Sequence, residues 1–410
     1  MFNLSIFDQL SPDLYTPVLL YYPEESTPLS DKILRLKSSL SLVLAYFYPL
    51  AGRARDNMFV ECNDLGAKFL EADVNCTLSE VLVCPCLREL KKLLPINVET
   101  NEASIGQLLL VQANSFRCGG LVLAISISHK IADGATIGNF IRSWANAAGN
   151  CANIVPPRHD ASIVAPSMNH WMGISPLVLP QHKTLTRRYV FDSSKVDGLV
   201  ERTSTKQVGR PTRVEVVSAL LWKCMVKAST RRSGVEWKRS VFLHTVNLRP
   251  KMFPPIPENT FGNLVGHYWA EMREEEAAEI DLQELVMRLR AEKANYLENY
   301  VKEELVGEKI PMGVLADAKS IHELLNNKEV ELYVCSSWCG FPYYETDFGW
   351  GKPAWLSVVS SEYKNVIWMA DARGGEGMEV WLTLGEDHMA ELDKEALLME
   401  YANLNPSISW

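Results

Sequence analysis

Apolar residues recur at every second position in Leu121, Leu123, Ile125 and Ile127, which predicts a half-buried strand. The period then changes. Ile137, Phe140, Ile141, Trp144 and Ala148 have helical spacing. Upstream, Ile33, Leu36, Leu40, Val43, Leu44 and Phe47 predict an amphipathic helix that breaks at Pro49 and Gly52. Short strands are expected around 59–61 and 108–113. Residues 150–184 lose all periodicity and carry Pro156-Pro157, Pro166, Pro176 and Pro180, which suits a crossover between two halves. Tyr189-Val190-Phe191 opens the second half.

There, Thr212 and Glu215 form a T-x-x-E capping box ahead of a helix whose apolar face holds Val216, Leu220 and Cys224. Residues 240–248 predict a strand. Leu282, Leu285, Val286, Leu289 and Leu297 predict another helix. Short strands at 332–336, 366–370 and 378–384 precede a last helix near 386–401. Strands and helices mixed in both halves mean α/β or α+β layers.

Composition narrows this picture. At 410 residues, two domains are the first expectation. Apolar residues make up 47% and charged residues 22%, ordinary for a soluble globular protein. No apolar run approaches the about 18 residues of a membrane span. The net charge of −9 argues against nucleic-acid or anionic-membrane binding, both of which need a basic face. Nine scattered cysteines, an odd count with no secretory leader, predict reduced thiols in a cytoplasmic protein. The basic pairs Arg231-Arg232 and Lys238-Arg239 read as solvated surface.

Two segments carry chemistry. The first is Ser128-His129-Lys130-Ile131-Ala132-Asp133-Gly134, between the predicted strand and helix. A histidine at the end of a rigid strand can act as a general base, since its unperturbed pKa is about 6.5. Gly134 offers a position without Cβ where the chain turns into the helix. Alone, the segment also suits a core histidine paired to a carboxylate. A zinc site would need a third protein ligand, no His-rich or Cys-rich cluster offers one, and no metal is expected. The second segment is Asp347-Phe348-Gly349-Trp350-Gly351-Lys352-Pro353, whose glycines alternate with aromatics as in a close-packed loop.

The pair, in this order and at this distance, resembles the BAHD family of plant acyl-CoA-dependent acyltransferases, whose hallmarks are HxxxD near the middle and DFGWG near the end. Leu4-Ser5 with Asp8-Gln9, Tyr46 to Arg53, Asn247-Leu248-Arg249, Phe261-Gly262-Asn263 and Ser336-Ser337-Trp338 match as well, so the resemblance covers essentially the whole chain. It implies an α/β fold of two similar-sized domains, each a mixed sheet with helices, joined by a crossover loop and separated by a solvent channel. The expected division is 1–150 with HxxxD, 151–184 as crossover, and 185–410 with DFGWG. The family usually carries a further strand ahead of the Leu-Ser segment. Here Leu4-Ser5 stands almost at Met1, so an open sheet edge is expected.

The resemblance also assigns roles. His129 would take the proton of an acceptor hydroxyl as it attacks the thioester carbonyl of an acyl-CoA, and no covalent acyl-enzyme would form. Trp338 would offer its indole N–H to the developing oxyanion; a core aromatic beside a strand is the competing reading. Ser336 beside it is a candidate for substrate binding. Asp133 could orient His129 as in a protease triad, but the resemblance implies a structural pair with Arg249. Asp347, Gly349 and Gly351 would be structural too.

Acyl-CoA, acetyl-CoA foremost, is the implied co-substrate, with no permanently bound cofactor. The implied partner is a small-molecule alcohol, acted on by a monomer. Phe2 to Ser5, Ile141 to Ala145 and Arg213 to Val217 resemble the branch with the alkaloid acetyltransferases, and Pro342-Tyr343-Tyr344 resembles the capsaicin and acylsugar enzymes. An alkaloid or terpenoid alcohol is therefore the expected acceptor. N-acylation of a polyamine or aromatic amine, or metabolite binding without catalysis, are the alternatives.

Overall fold

In the computed structural model, the described residues are 1–149, 154–168, 182–206, 209–232, 239–277, 279–303, 305 and 307–409. Cys151, Pro176, Pro180, Lys238 and nearly half of the expected crossover, 151–153 and 169–181, lie outside them. The fold is a mixed α/β arrangement of a five-stranded sheet, a seven-stranded sheet and a small three-stranded sheet.

The first half builds the five-stranded sheet. Its centre is the strand Leu121–Ser128, flanked antiparallel by Tyr15–Tyr22 and Leu109–Phe116. The alternation predicted one wet face. Instead all eight residues of Leu121–Ser128 are buried, because the sheet is covered on both sides. Tyr15–Tyr22 is equally buried; its continuous apolar run has no strand period to betray it. Lys68–Val74 pairs only with Leu109–Phe116 and forms one sheet edge among the described residues. Lys68 and Glu71 keep that edge polar, and Glu71 is ion-paired to Lys37.

Two helices hold this half together. Leu36, Leu40 and Val43 of Leu29–Leu44 are buried in the same core as Phe140, Ile141 and Trp144 of Gly134–Ala148. Trp144 donates its indole N–H to Leu36 O at 3.1 Å and Ser39 Oγ at 3.0 Å, so its polar edge is satisfied inside the core. Phe47 meets Phe140 edge to face at 5.4 Å, a contact worth about 0.5–1.5 kcal/mol beyond area burial.

The second half wraps the seven-stranded sheet around the helix Arg213–Thr230. Thr212 caps that helix through the reciprocal bonds of its capping box. Thirteen of its eighteen residues are buried, which is why its apolar pattern runs nearly all round. The strands expected at 240–248, 332–336, 366–370 and 378–384 appear as Arg239–Asn247, Val330–Ser337, Val366–Asp371 and Met378–Gly385. The single helix expected near 386–401 is two, Glu386–Leu392 and Ala396–Tyr401. The helix Ile310–Asn326 was not foreseen.

The halves exchange chain. Trp355–Ser357 leaves the second half and pairs with Tyr15–Tyr22 as the outermost strand of the first sheet. Trp355 Nε1 donates to Glu379 Oε2 at 3.1 Å, and Arg188 holds the same carboxylate at 2.6 Å with both side chains buried. Among the described residues no helix is long and apolar enough to cross a membrane.

Candidate active site

Leu121–Ser128 ends in a turn fixed by its own polar atoms. Ser128 Oγ accepts from Lys130 N–H and donates to Ala103 O, and His129 N–H donates to Leu14 O at 2.9 Å. Lys130 is turned away and buried, its ammonium held by Gln9 O, Ser11 O and Asp13. His129 thereby points into a cavity of about 270 Å³ lined by both halves of the chain. Its Nδ1 is sealed in protein, so Nε2 is the nitrogen left to face the cavity. Burial pulls the imidazole below its ordinary pKa; its own carbonyl, Asp133 and Asn263 oppose that pull. The shift favours the neutral ring, the form able to accept a proton.

Asp133 does not turn toward the imidazole. It is the N-cap of Gly134–Ala148, with Oδ1 accepting from Thr136 N–H at 2.9 Å. Its carboxylate meets the Arg249 guanidinium in a two-point pair, 2.7 Å from Nη1 and 3.2 Å from Nη2. Leu264 N–H donates to it at 3.0 Å. Arg249 is wholly buried and spends its other donors on Asn247 Oδ1, Thr136 Oγ1 and the carbonyls of Thr260 and Gly262. Burial alone would raise the Asp133 pKa, but Arg249 and the two backbone donors more than offset it and keep the group ionised.

Two residues to which the sequence assigned no role tie this turn to the second half. Asn263 donates to His129 O at 2.8 Å. Asp8, fully buried, accepts from both Asn263 N–H and its side-chain amide, while its other oxygen accepts from Ser5. The Leu4-Ser5…Asp8 segment thus braces the residue that braces His129. Both stand in segments that carry the family resemblance, but local spacing cannot show that they pair, since 255 residues separate them.

Trp338 follows the strand Val330–Ser337 and lies across the cavity wall with Ser336 and Ser337. It packs on Trp368 and Tyr343 with ring centroids at 5.2 and 5.5 Å. Among the described residues no protein acceptor takes its indole N–H. A Cβ on Gly134 would stand 3.1 Å from Trp338 Nε1 and 2.9 Å from Phe341 Cε2. Close approach of these rings, not backbone strain, is what requires glycine at 134. Ser336 Oγ is 3.4 Å from Thr245 Oγ1.

The second motif lies elsewhere. Asp347 Oδ1 accepts from the N–H groups of Gly349, Trp350 and Gly351 at 2.7–3.1 Å. Gly349 and Gly351 sit at φ +98° and +101°, where side chains are strained. Phe348 and Trp350 stack at 5.6 Å, Phe348 meets Trp144 at 5.1 Å, and the buried Lys32 ammonium stands 5.8 Å from the Trp350 ring. None of Asp347 to Gly351 lines the cavity. Lys352 is half-exposed and paired with Glu345.

The mixed α/β fold thus brings His129 and Trp338, far apart in the chain, to the wall of one cavity. The Transferase family model matches residues 1–399. Akuammiline synthase 1 of Alstonia scholaris is 34% identical over 98% of this chain and 93% of its own length. Salutaridinol 7-O-acetyltransferase of Papaver somniferum is 34% identical over 96% and 92%. The crystal structure of vinorine synthase superposes with a TM-score of 0.86 at 30% identity, covering 100% of this chain and 95% of that one. A structure of F. graminearum TRI101 complexed with coenzyme A and deoxynivalenol shares the fold, with a TM-score of 0.76 at 17% identity over 98% and 99% of the two chains. The chain belongs to the BAHD acyltransferases and is an acyl-CoA-dependent transferase.

Proposed function

We propose that this enzyme transfers an acetyl or other short acyl group from coenzyme A to a hydroxyl of a plant specialised metabolite, an alkaloid or terpenoid alcohol. The observation that carries the reading is the shared cavity, where a neutral imidazole nitrogen and an uncommitted indole N–H look onto the same space. The names of the relatives, O-acetyltransferases of alkaloids and limonoids among them, support the acceptor class.

In this mechanism His129 Nε2 takes the acceptor proton as its oxygen bonds to the thioester carbon. The carbonyl electrons move onto oxygen, where the Trp338 N–H donates to them. Collapse of the tetrahedral species breaks the C–S bond, and the imidazolium returns its proton to the departing sulfur. General-base action contributes on the order of 10²–10⁴ in rate, and one oxyanion donor about 10²–10³. Asp133 and Arg249 act as a structural clamp on the turn carrying His129, and Asp347 to Gly351 as a structural loop. Residues 1–150 and 185–410, joined by the crossover 151–184, serve as the two domains that line the shared cavity, and Ser336 as a contact for one of the substrates.

The test is His129→Ala, assayed with acetyl-CoA against a panel of alkaloid and terpenoid alcohols by mass spectrometry. Turnover should fall by at least about 10²-fold while thermal stability and CoA binding hold. Retention of more than about a tenth of wild-type turnover rules out His129 as the base.

A further inference from the structure

The acyl-transfer reading leaves one charged group of the cavity unused. Asp317, on the helix Ile310–Asn326, lines the same cavity as His129, with its side chain only 11% exposed. Its Oδ2 lies 3.2 Å from Nδ1 of His267 on the strand Val265–Arg273. Among the described residues no lysine or arginine pairs with Asp317, and none lines the cavity. The cavity's other aspartate, Asp133, is matched by Arg249. Its one partner among the described residues, His267, is a cation only when protonated, so no permanent charge neutralises this largely buried carboxylate, and such burial is costly. A cationic ligand would supply the missing partner.

A second feature points the same way. His267 and Asp317 are also the wall of an adjoining cleft of about 450 Å³, whose other sides include Trp269, Tyr296 and Tyr300. The two tyrosines stack at 5.1 Å, and Glu292 stands exposed at the rim. Aromatic faces and carboxylates are the two kinds of surface that hold alkylammonium groups.

We infer that Asp317 recognises a protonated amine on the acceptor, so that the substrate class is an amino alcohol. This rests on the acyl-transfer reading of His129. The ammonium sits between Asp317 and the aromatic cleft while the hydroxyl reaches His129 through the shared cavity. The arrangement also directs the acyl group to oxygen. An amine held as its ammonium has its lone pair on a proton and cannot attack the thioester, whereas the hydroxyl oxygen keeps its lone pairs.

The experiment compares 1-methylpiperidin-4-ol, cationic at neutral pH, with its carbon isostere 4-methylcyclohexanol. Binding is read on the full chain by tryptophan fluorescence and needs no turnover. The cation should bind at least about tenfold more tightly, Asp317→Asn should bring the two within about twofold, and Asp317→Glu should keep the preference. If Asp317→Asn does not fold, the wild type is titrated with salt: affinity for the cation should fall and that for the isostere should not. Equal binding of the two alcohols, a preference that survives Asp317→Asn, or a preference indifferent to salt overturns the assignment. Failure of the acyl-transfer reading looks different, because no alcohol would then be acetylated from acetyl-CoA although the binding preference remained.

Discussion

The turn at His129 and the loop at Asp347 make an instructive pair. Both are short, glycine-containing and organised by an aspartate that accepts backbone N–H bonds. One lines the cavity and the other does not. Asp133 is buried, so its charge needs a guanidinium within reach, and Arg249 arrives from 116 residues away. Asp347 is exposed, and three local N–H groups with water satisfy it. The cost of burying charge makes the first aspartate a long-range clamp and leaves the second a local one. Two equally conspicuous motifs therefore differ in whether they line the cavity.

The comparison predicts unequal damage. Arg249→Ala leaves a buried carboxylate unpaired and should cost about 3–5 kcal/mol of unfolding free energy, read by urea denaturation. Asp133→Ala should lower stability and turnover together with it. A loss below about 1 kcal/mol for both, in the range of an exposed pair, would erase the distinction between clamp and loop.

Trp338→Phe keeps most of the ring and removes the N–H donor. Turnover should fall about 10²–10³-fold with acyl-CoA affinity nearly unchanged, since the donor acts on charge present in the transition state. A lower melting temperature with normal turnover would make Trp338 a packing residue like Phe348.

Asp347→Ala removes an acceptor shared by three N–H groups, of which those of Gly349 and Gly351 are exposed and can turn to water. A loss of about 1–2 kcal/mol is expected, with kcat of the folded enzyme close to wild type. A drop in kcat as large as that of Trp338→Phe would bring the loop into the reaction.

The smallest effect concerns pH. Burial lowers the His129 pKa, so this imidazole, the proposed base, stays neutral to lower pH than a free one. The acid limb of kcat/KM should therefore bend below the unperturbed value of about 6.5. A midpoint at or above that value would mean that another group controls the limb.

Local patterns made much of this protein legible. The two-residue period before His129, the helical period after it and the capping box at Thr212 each describe interactions within a few residues, which sequence spacing encodes directly. The resemblance carried by HxxxD and DFGWG added the family. Other features came only from tertiary structure. The buried face of Leu121–Ser128, the strand Tyr15–Tyr22 and the exchange of Trp355–Ser357 depend on what covers a segment, and covering is a long-range event. The same holds for the Asp8–Asn263 brace and for Asp317 on the cavity wall. A carboxylate in a sequence shows neither its burial nor its partner, and those two quantities decide whether it clamps a fold, caps a loop or waits for a cation.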